Sequence, residues 1–222
     1  MDRKYQVFIS STYEDLKEQR DAVVKAVLKM GHLPVGMEMF NAADQQQWEI
    51  IKRHIDNSDY YVLIMAHRYG SIGPKGISYT QQEYEYAVEK GIPCLGFELH
   101  KDTLWPSTMM ETGAAKKKLD NFKKKVGKRP VNFWDTTDKL ALQVFASLSE
   151  SITLSPRPGW VRASETAGPQ VAEELARLSR ENNDLMSKIQ ALDVSDDLDK
   201  LNEVINNTSI NLNYTESQFQ LI

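Results

Sequence analysis

The segment Tyr60-Tyr61-Val62-Leu63-Ile64-Met65-Ala66 constrains the fold more than any other. It is an unbroken apolar run of strand length, too short for a buried helix of usual size. A strand apolar on both sides must be covered on both faces, which is the situation of a central strand in a parallel sheet. Its neighbours agree. Tyr5 to Ser10 is a β-branched and aromatic run, and Leu33 to Met37, Ile92 to Phe97 and Pro130 to Trp134 are further short strands. Between them lie helical patterns. Leu16, Val23, Val27 and Met30 share one helix face, stopped at Gly31. Trp48, Ile51 and Ile55 share a second. Thr80 opens a third, closed by Gly91. Ala114 to Val126 is a fourth, and Leu140, Val144, Leu148 and Ile152 mark a fifth within 136–152. Lys101 to Gly113 reads as loop or broken helix.

Strands alternating with helices specify an α/β layer fold with a parallel sheet. Five strands in about 150 residues fit a flavodoxin-like sheet of order 2-1-3-4-5. In such a sheet, ligands bind beyond the carboxyl ends of strands 1 and 3, where the winding reverses. The loops expected there are Ser10 to Glu14 and Ala66 to Ser78.

Composition excludes several classes. The 222 residues carry 27 basic and 31 acidic side chains, a net charge of −4, so nucleic acid is not the expected partner. No apolar run approaches the roughly 20 residues of a membrane span, and the first residues, Met-Asp-Arg-Lys, do not resemble a secretory signal. Cys94 is the one cysteine, so neither an internal disulfide nor a cysteine zinc site is available, and a cytoplasmic setting is expected. The lysines at 116–118 and 123–125, with Lys128 and Arg129, read as a solvated helix face.

The charge is uneven. Residues 1–159 carry 22 basic and 20 acidic side chains, and the remainder 5 and 11. The change coincides with Ser155-Pro156-Arg157-Pro158-Gly159 and Ser164 to Pro169, segments of linker composition. The expected organisation is an α/β domain over 1–155, a linker over 156–169, a helical or coiled-coil segment over 170–205, and a further segment or tail over 206–222. In the tail, Val171, Leu175, Leu178, Asn182, Leu185, Ile189 and Leu192 follow a 4-3 spacing. That spacing is a heptad seam with asparagine at an a position, a pattern that favours parallel dimers. Homo-oligomerisation through 170–192 is therefore expected. The alternative is an amphipathic helix packed on its own domain. Asn202 to Asn213 is asparagine-rich, with Ile210, Leu212 and Tyr214 alternating like a strand.

At the expected site, Ser10, Ser11 and Thr12 lie where a helix start could hold a phosphate or ribose hydroxyl. Ser11 and Glu14 also have capping-box spacing. Arg68 could pair a phosphate, Tyr69 could stack on a base, and Gly70 allows a close backbone approach. No G-x-G-x-x-G or P-loop motif is present. Glu83 falls one turn into the third helix and can face the same crevice, although Thr80-Gln81-Gln82-Glu83 reads equally as a capping box. Glu38 and Asp44 are candidate second carboxylates. His67 reads as a loop histidine with no partner for metal ligation.

The segment Val7-Phe8-Ile9-Ser10-Ser11-Thr12-Tyr13-Glu14-Asp15-Leu16 resembles the start of a TIR-like (Toll/interleukin-1-receptor-like) family of unknown function. The resemblance continues through Leu33 to Glu38, Asp59 to Ile64, Arg68 to Ser71, Ile77 to Thr80, Glu83-Tyr84 and Gly91 to Pro93. The family is similar to TIR domains and more remotely to nucleoside deoxyribosyltransferases. The resemblance implies cleavage of the N-glycosidic bond of NAD, gated by oligomerisation, in signalling or anti-phage defence. It places the catalytic glutamate at Glu83 and substrate contacts at Ser10, Ser11 and Ser78, to which the reading of the loop after the third strand adds Arg68, Tyr69 and Gly70. No cysteine follows Ser78 where TIR domains carry one. NAD would be a substrate, and no metal or other cofactor is expected. The alternatives are a non-catalytic interaction module, to which a further domain or partner protein could be joined, and a nucleosidase acting on other nucleotides.

Overall fold

A computed structural model describes residues 3–36, 44–73, 75–162, 169–191 and 200–208. Five parallel strands form one sheet: β1 (Gln6–Ser10), β2 (Leu33–Gly36), β3 (Tyr60–Met65), β4 (Cys94–Leu99) and β5 (Val131–Trp134). Their order is β2-β1-β3-β4-β5, the flavodoxin-like order expected from the alternation of elements. The helices between and after them are α1 (Lys17–Lys29), α2 (Asp44–Asp56), α3 (Tyr79–Glu89), α4 (Gly113–Val126) and α5 (Thr137–Leu154). A single 3-10 turn, Ser107–Met109, interrupts the long loop after β4.

The period-2 geometry of a strand splits the core into two layers. Val7 and Ile9 of β1 with Tyr60, Val62 and Ile64 of β3 pack against α1 and α5, through Val23, Val27, Leu140, Val144 and Leu148. Phe8 with Tyr61, Leu63 and Met65 packs against α2, α3 and α4, through Ile51, Ile55, Ala87, Leu119 and Phe122. Every residue of β3 is buried, as its unbroken apolar run requires. Each such aliphatic or aromatic side chain contributes about 1.5–3 kcal/mol on burial.

The start of α1 differs from expectation. The helix begins at Lys17, and Ser11 and Glu14 form no capping box. Tertiary partners recruit those side chains instead. The Ser11 hydroxyl donates to the Thr12 carbonyl and accepts from the buried Arg20 guanidinium, and Glu14 pairs with Arg68. The chain between β1 and α1 is thereby left as irregular backbone at the carboxyl edge of the sheet.

The α/β unit runs past the expected end at residue 155, to Val161. Trp160 and Lys4 form an isolated antiparallel bridge, the Gly159 amide donates to the Asp59 carboxylate, and the Tyr60 hydroxyl donates to the Ser155 carbonyl. The proline-containing segment read as linker is thus partly domain. In the second unit, α6 spans Pro169–Ala191 and residues 200–208 are helical. Glu38, the residues around Ser164 to Gly168, Leu192 and the strand-like alternation at 210–214 lie outside the described residues. No helix among the described residues is long and apolar enough to cross a membrane.

Candidate functional site

At the carboxyl edge of β1 and β3, the two loops expected to meet at the winding reversal do meet. They enclose a crevice of about 270 Å³ lined by Ser11, Thr12, Tyr13, Glu14, Arg68, Gly70, Ser71, Tyr79 and Thr80. Gly70 has φ 89°, and a Cβ there would stand 3.0 Å from the Thr12 methyl. Only a residue without a side chain brings the two loops this close in that backbone conformation. Arg68 reaches across the mouth, its Nη1 2.7 Å from the Glu14 carboxylate.

Glu83 is completely buried, at 0% exposure. The capping-box reading of Thr80 to Glu83 is overturned, because the cap of α3 is Ser78. Its hydroxyl accepts from the Gln81 amide at 3.2 Å. Glu83 turns inward instead and accepts a 2.5 Å hydrogen bond from the Ser10 hydroxyl. The geometry follows from the alternation of β1: Ser10 shares a face with Phe8, the face that α3 covers. Thr80 is one helical turn before Glu83, so the carboxylate lies one turn deeper than the Thr80 side chain that lines the crevice.

Tyr61, on the same face, completes this buried polar group. Burial pushes its hydroxyl pKa well above the ordinary 10.0, the Glu83 charge pushes the same way, and Ser10 opposes them. Asp15 stands beside the crevice, where the Thr12 hydroxyl donates to it. Burial raises the Asp15 carboxyl above its ordinary 3.8, against the Thr12 hydrogen bond and the Arg68 charge. Burial likewise lowers His67 below its ordinary 6.5, with nearby Lys123 adding to the effect.

The expected site residues therefore separate into three groups. Ser11, Arg68 and Gly70 line the crevice. Ser10 and Glu83 join beneath it. Tyr69 and Ser78 serve the scaffold: the Tyr69 ring belongs to the core and its hydroxyl donates to Gln81, while Ser78 caps α3. Tyr69 is 3% exposed, so it is not placed to stack on a base in the crevice. Of the candidate second carboxylates, Glu38 lies outside the described residues and Asp44 begins α2. The sequence pattern does not single out Asp15, Tyr61, Tyr79 or Ser71. The Tyr61 hydroxyl is hidden inside the apolar run that identifies β3, and Asp15 has the sequence position of an ordinary first-turn carboxylate. Among the described residues, no three of His, Cys, Asp or Glu gather in a way that could hold a metal ion.

The family model for a domain of unknown function, DUF4062, matches residues 6–149. The chain belongs to this family. The matched segment spans the sheet from β1 into α5, and with it the whole crevice. No curated protein matches the chain. Two of the solved structures similar to the chain illustrate the fold. One contains the TIR domains of the activated Roq1 resistosome directly recognising the pathogen effector XopQ. It is 13% identical with a TM-score of 0.49, and the match covers 65% of this chain and 99% of that one. The other is a cysteine-to-serine mutant of flavodoxin from Pseudomonas aeruginosa. It is also 13% identical with a TM-score of 0.34, and the match covers 68% and 99% of the two chains.

Proposed function

We propose that this domain binds a nucleotide at the crevice between β1 and β3 and cleaves the N-glycosidic bond of NAD, with Glu83 as its catalytic carboxylate and turnover gated by assembly of the chain. The observation that carries this reading is the Ser10–Glu83 pair. A carboxylate removed from water is costly, and it is placed here directly beneath the loops at the winding reversal. The motif resemblance assigns the same glutamate.

The chemistry needs little else. The bond from the ribose anomeric carbon to the nicotinamide nitrogen breaks, and its electron pair goes to the departing neutral nicotinamide. The ribosyl centre becomes oxocarbenium-like, and water captures it, releasing a proton and ADP-ribose. A fixed carboxylate stabilises the developing positive charge. Arg68, once released by Glu14, supplies a fork for a phosphate, and the hydroxyls of Ser71 and Thr80 supply partners for sugar or phosphate oxygens. Because Glu83 is fully covered, the loop after β1 must shift for substrate to touch the carboxylate.

A second reading has its own support. The same complete burial of Glu83 suits a structural carboxylate in a non-catalytic interaction module. The discriminating experiment incubates concentrated full-length protein with NAD, and separately with nucleosides and other nucleotides, followed by product analysis. Release of nicotinamide that is lost in Glu83→Gln supports the NAD reading. Cleavage of nucleosides alone supports a nucleosidase. NAD bound without turnover, or release equal in Glu83→Gln, removes the catalytic role of Glu83.

A further inference from the structure

Helix α6 presents an exposed apolar face. Val171, Leu175, Leu178, Leu185 and Ile189 are each 48–69% exposed, although together they form a regular 4-3 seam along the helix. Charge does not call for an oppositely charged partner. Arg177 already pairs with Glu174 and Glu181, and Lys188 with Asp184, all within the helix. The seam also contains Asn182, at an a position between Leu178 and Leu185. An amide in an apolar seam needs a hydrogen-bonding partner at the same level.

We propose that the partner of this face is a second copy of the chain, joined parallel and in register as a two-stranded coiled coil whose Asn182 side chains pair with each other. This deepens the assembly part of the function proposed above and does not depend on the chemistry of Glu83.

Orientation follows from the layers. In a parallel pair, a faces a and d faces d, so Asn182 meets Asn182 of the other copy and both amides are satisfied. An antiparallel pair stacks a on d. The register that keeps the whole seam then sets Asn182 against Leu178 of the other copy and brings the two Glu181 residues together. The flanks agree: parallel packing sets Glu174 near Ser179 and Glu181 near Met186, with no like charges opposed. Leucine at the d positions Leu178, Leu185 and Leu192 and asparagine at a point to two strands rather than more. The seam is short. Continued from Ile189 past Leu192, the same spacing falls on Asp196, Asp199 and Glu203, so only about three heptads are available. Association should therefore be reversible and concentration-dependent.

The test uses the full chain. Sedimentation across a concentration series should show a monomer giving way to a dimer, and Leu185→Asp should leave only monomer while the α/β unit keeps its melting transition. Orientation is read by cysteine probes under mild oxidation with glutathione disulfide. Val171→Cys should cross-link to itself, whereas mixing Val171→Cys with Ile189→Cys should give no preferential mixed dimer. The native Cys94 contributes little background, because burial pushes its thiol up to about 12 and leaves it with little thiolate. A monomer at the highest concentration, a dimer that survives Leu185→Asp, or a dominant Val171–Ile189 mixed cross-link would each overturn the proposal. These outcomes decide the assembly alone; whether Glu83 is the catalytic carboxylate is decided separately, by comparing nicotinamide release from wild type and Glu83→Gln.

Discussion

Replacing Ser10 by alanine should destabilise the domain by about 1.5–3 kcal/mol, the net worth of a hydrogen bond to a charged group. The hydroxyl is 1% exposed and donates to a Glu83 carboxylate that is itself fully buried. Water cannot replace the lost donor without the packing opening. For a chain of this size each kcal/mol shifts the melting temperature by about 2–4 °C, so Ser10→Ala should melt roughly 3–12 °C lower. The charge of Glu83 can be isolated by a double-mutant cycle. In a Glu83→Gln background the Ser10 hydroxyl meets a neutral amide oxygen of similar shape, and a neutral hydrogen bond is worth only about 0.5–1.5 kcal/mol. Ser10→Ala should therefore cost about 1 kcal/mol less there than in the wild type, a coupling energy measurable by urea denaturation. If Ser10→Ala costs the same in both backgrounds, the hydroxyl is not holding a charged carboxylate, and Glu83 is not kept poised as a charge beneath the crevice. The cycle also matters for activity. Because Glu83 is buried rather than an exposed cap, Glu83→Gln is expected to alter stability as well as turnover, so rates must be compared at temperatures where both proteins are folded.

Glu83→Gln should lower nicotinamide release from NAD by about a hundredfold to a thousandfold, the usual effect of losing one preorganised charge at a developing transition state; equal rates would refute the role. Asp15→Asn should stabilise the protein at neutral pH and have no advantage below the ordinary carboxylate value of 3.8. The folded pKa is raised, so the wild type loses stability as pH rises through that folded value while the asparagine variant does not. A melting difference that is the same at every pH would count against this. Gly70→Ala should cost more than Gly31→Ala. Both residues have positive φ, at about 1–2 kcal/mol for a side chain, but only at position 70 does a Cβ press on Thr12. Tyr60→Phe removes the hydrogen bond to the Ser155 carbonyl and should loosen the segment ending at Val161, read as faster proteolysis there with the sheet intact.

The layered α/β fold and its strand order were legible because they rest on local pattern. A run such as Tyr60 to Ala66 can be buried only on both faces, and short connections between strands and helices leave few ways to wind them. The same logic located the crevice, since the winding reversal lies between β1 and β3 in any sheet of this order. The heptad spacing of α6 was likewise local. What the tertiary structure decided is the allegiance of each polar side chain. Ser11, Ser78, Thr80 and Glu83 carry spacings that fit a helix cap equally well. Only the packing of α3 on β1 turns Glu83 inward to Ser10 and leaves capping to Ser78. Tyr69 has the composition of a ligand-stacking residue, yet its ring fills the core. Asp59 fastens the segment ending at Val161 through a contact between residues a hundred positions apart. Helix and strand periods belong to neighbours in the chain, and the sequence carries them in full. The partner of a hydroxyl or carboxylate is set by whichever donor or acceptor the completed packing brings within about 3 Å, and that depends on every element at once.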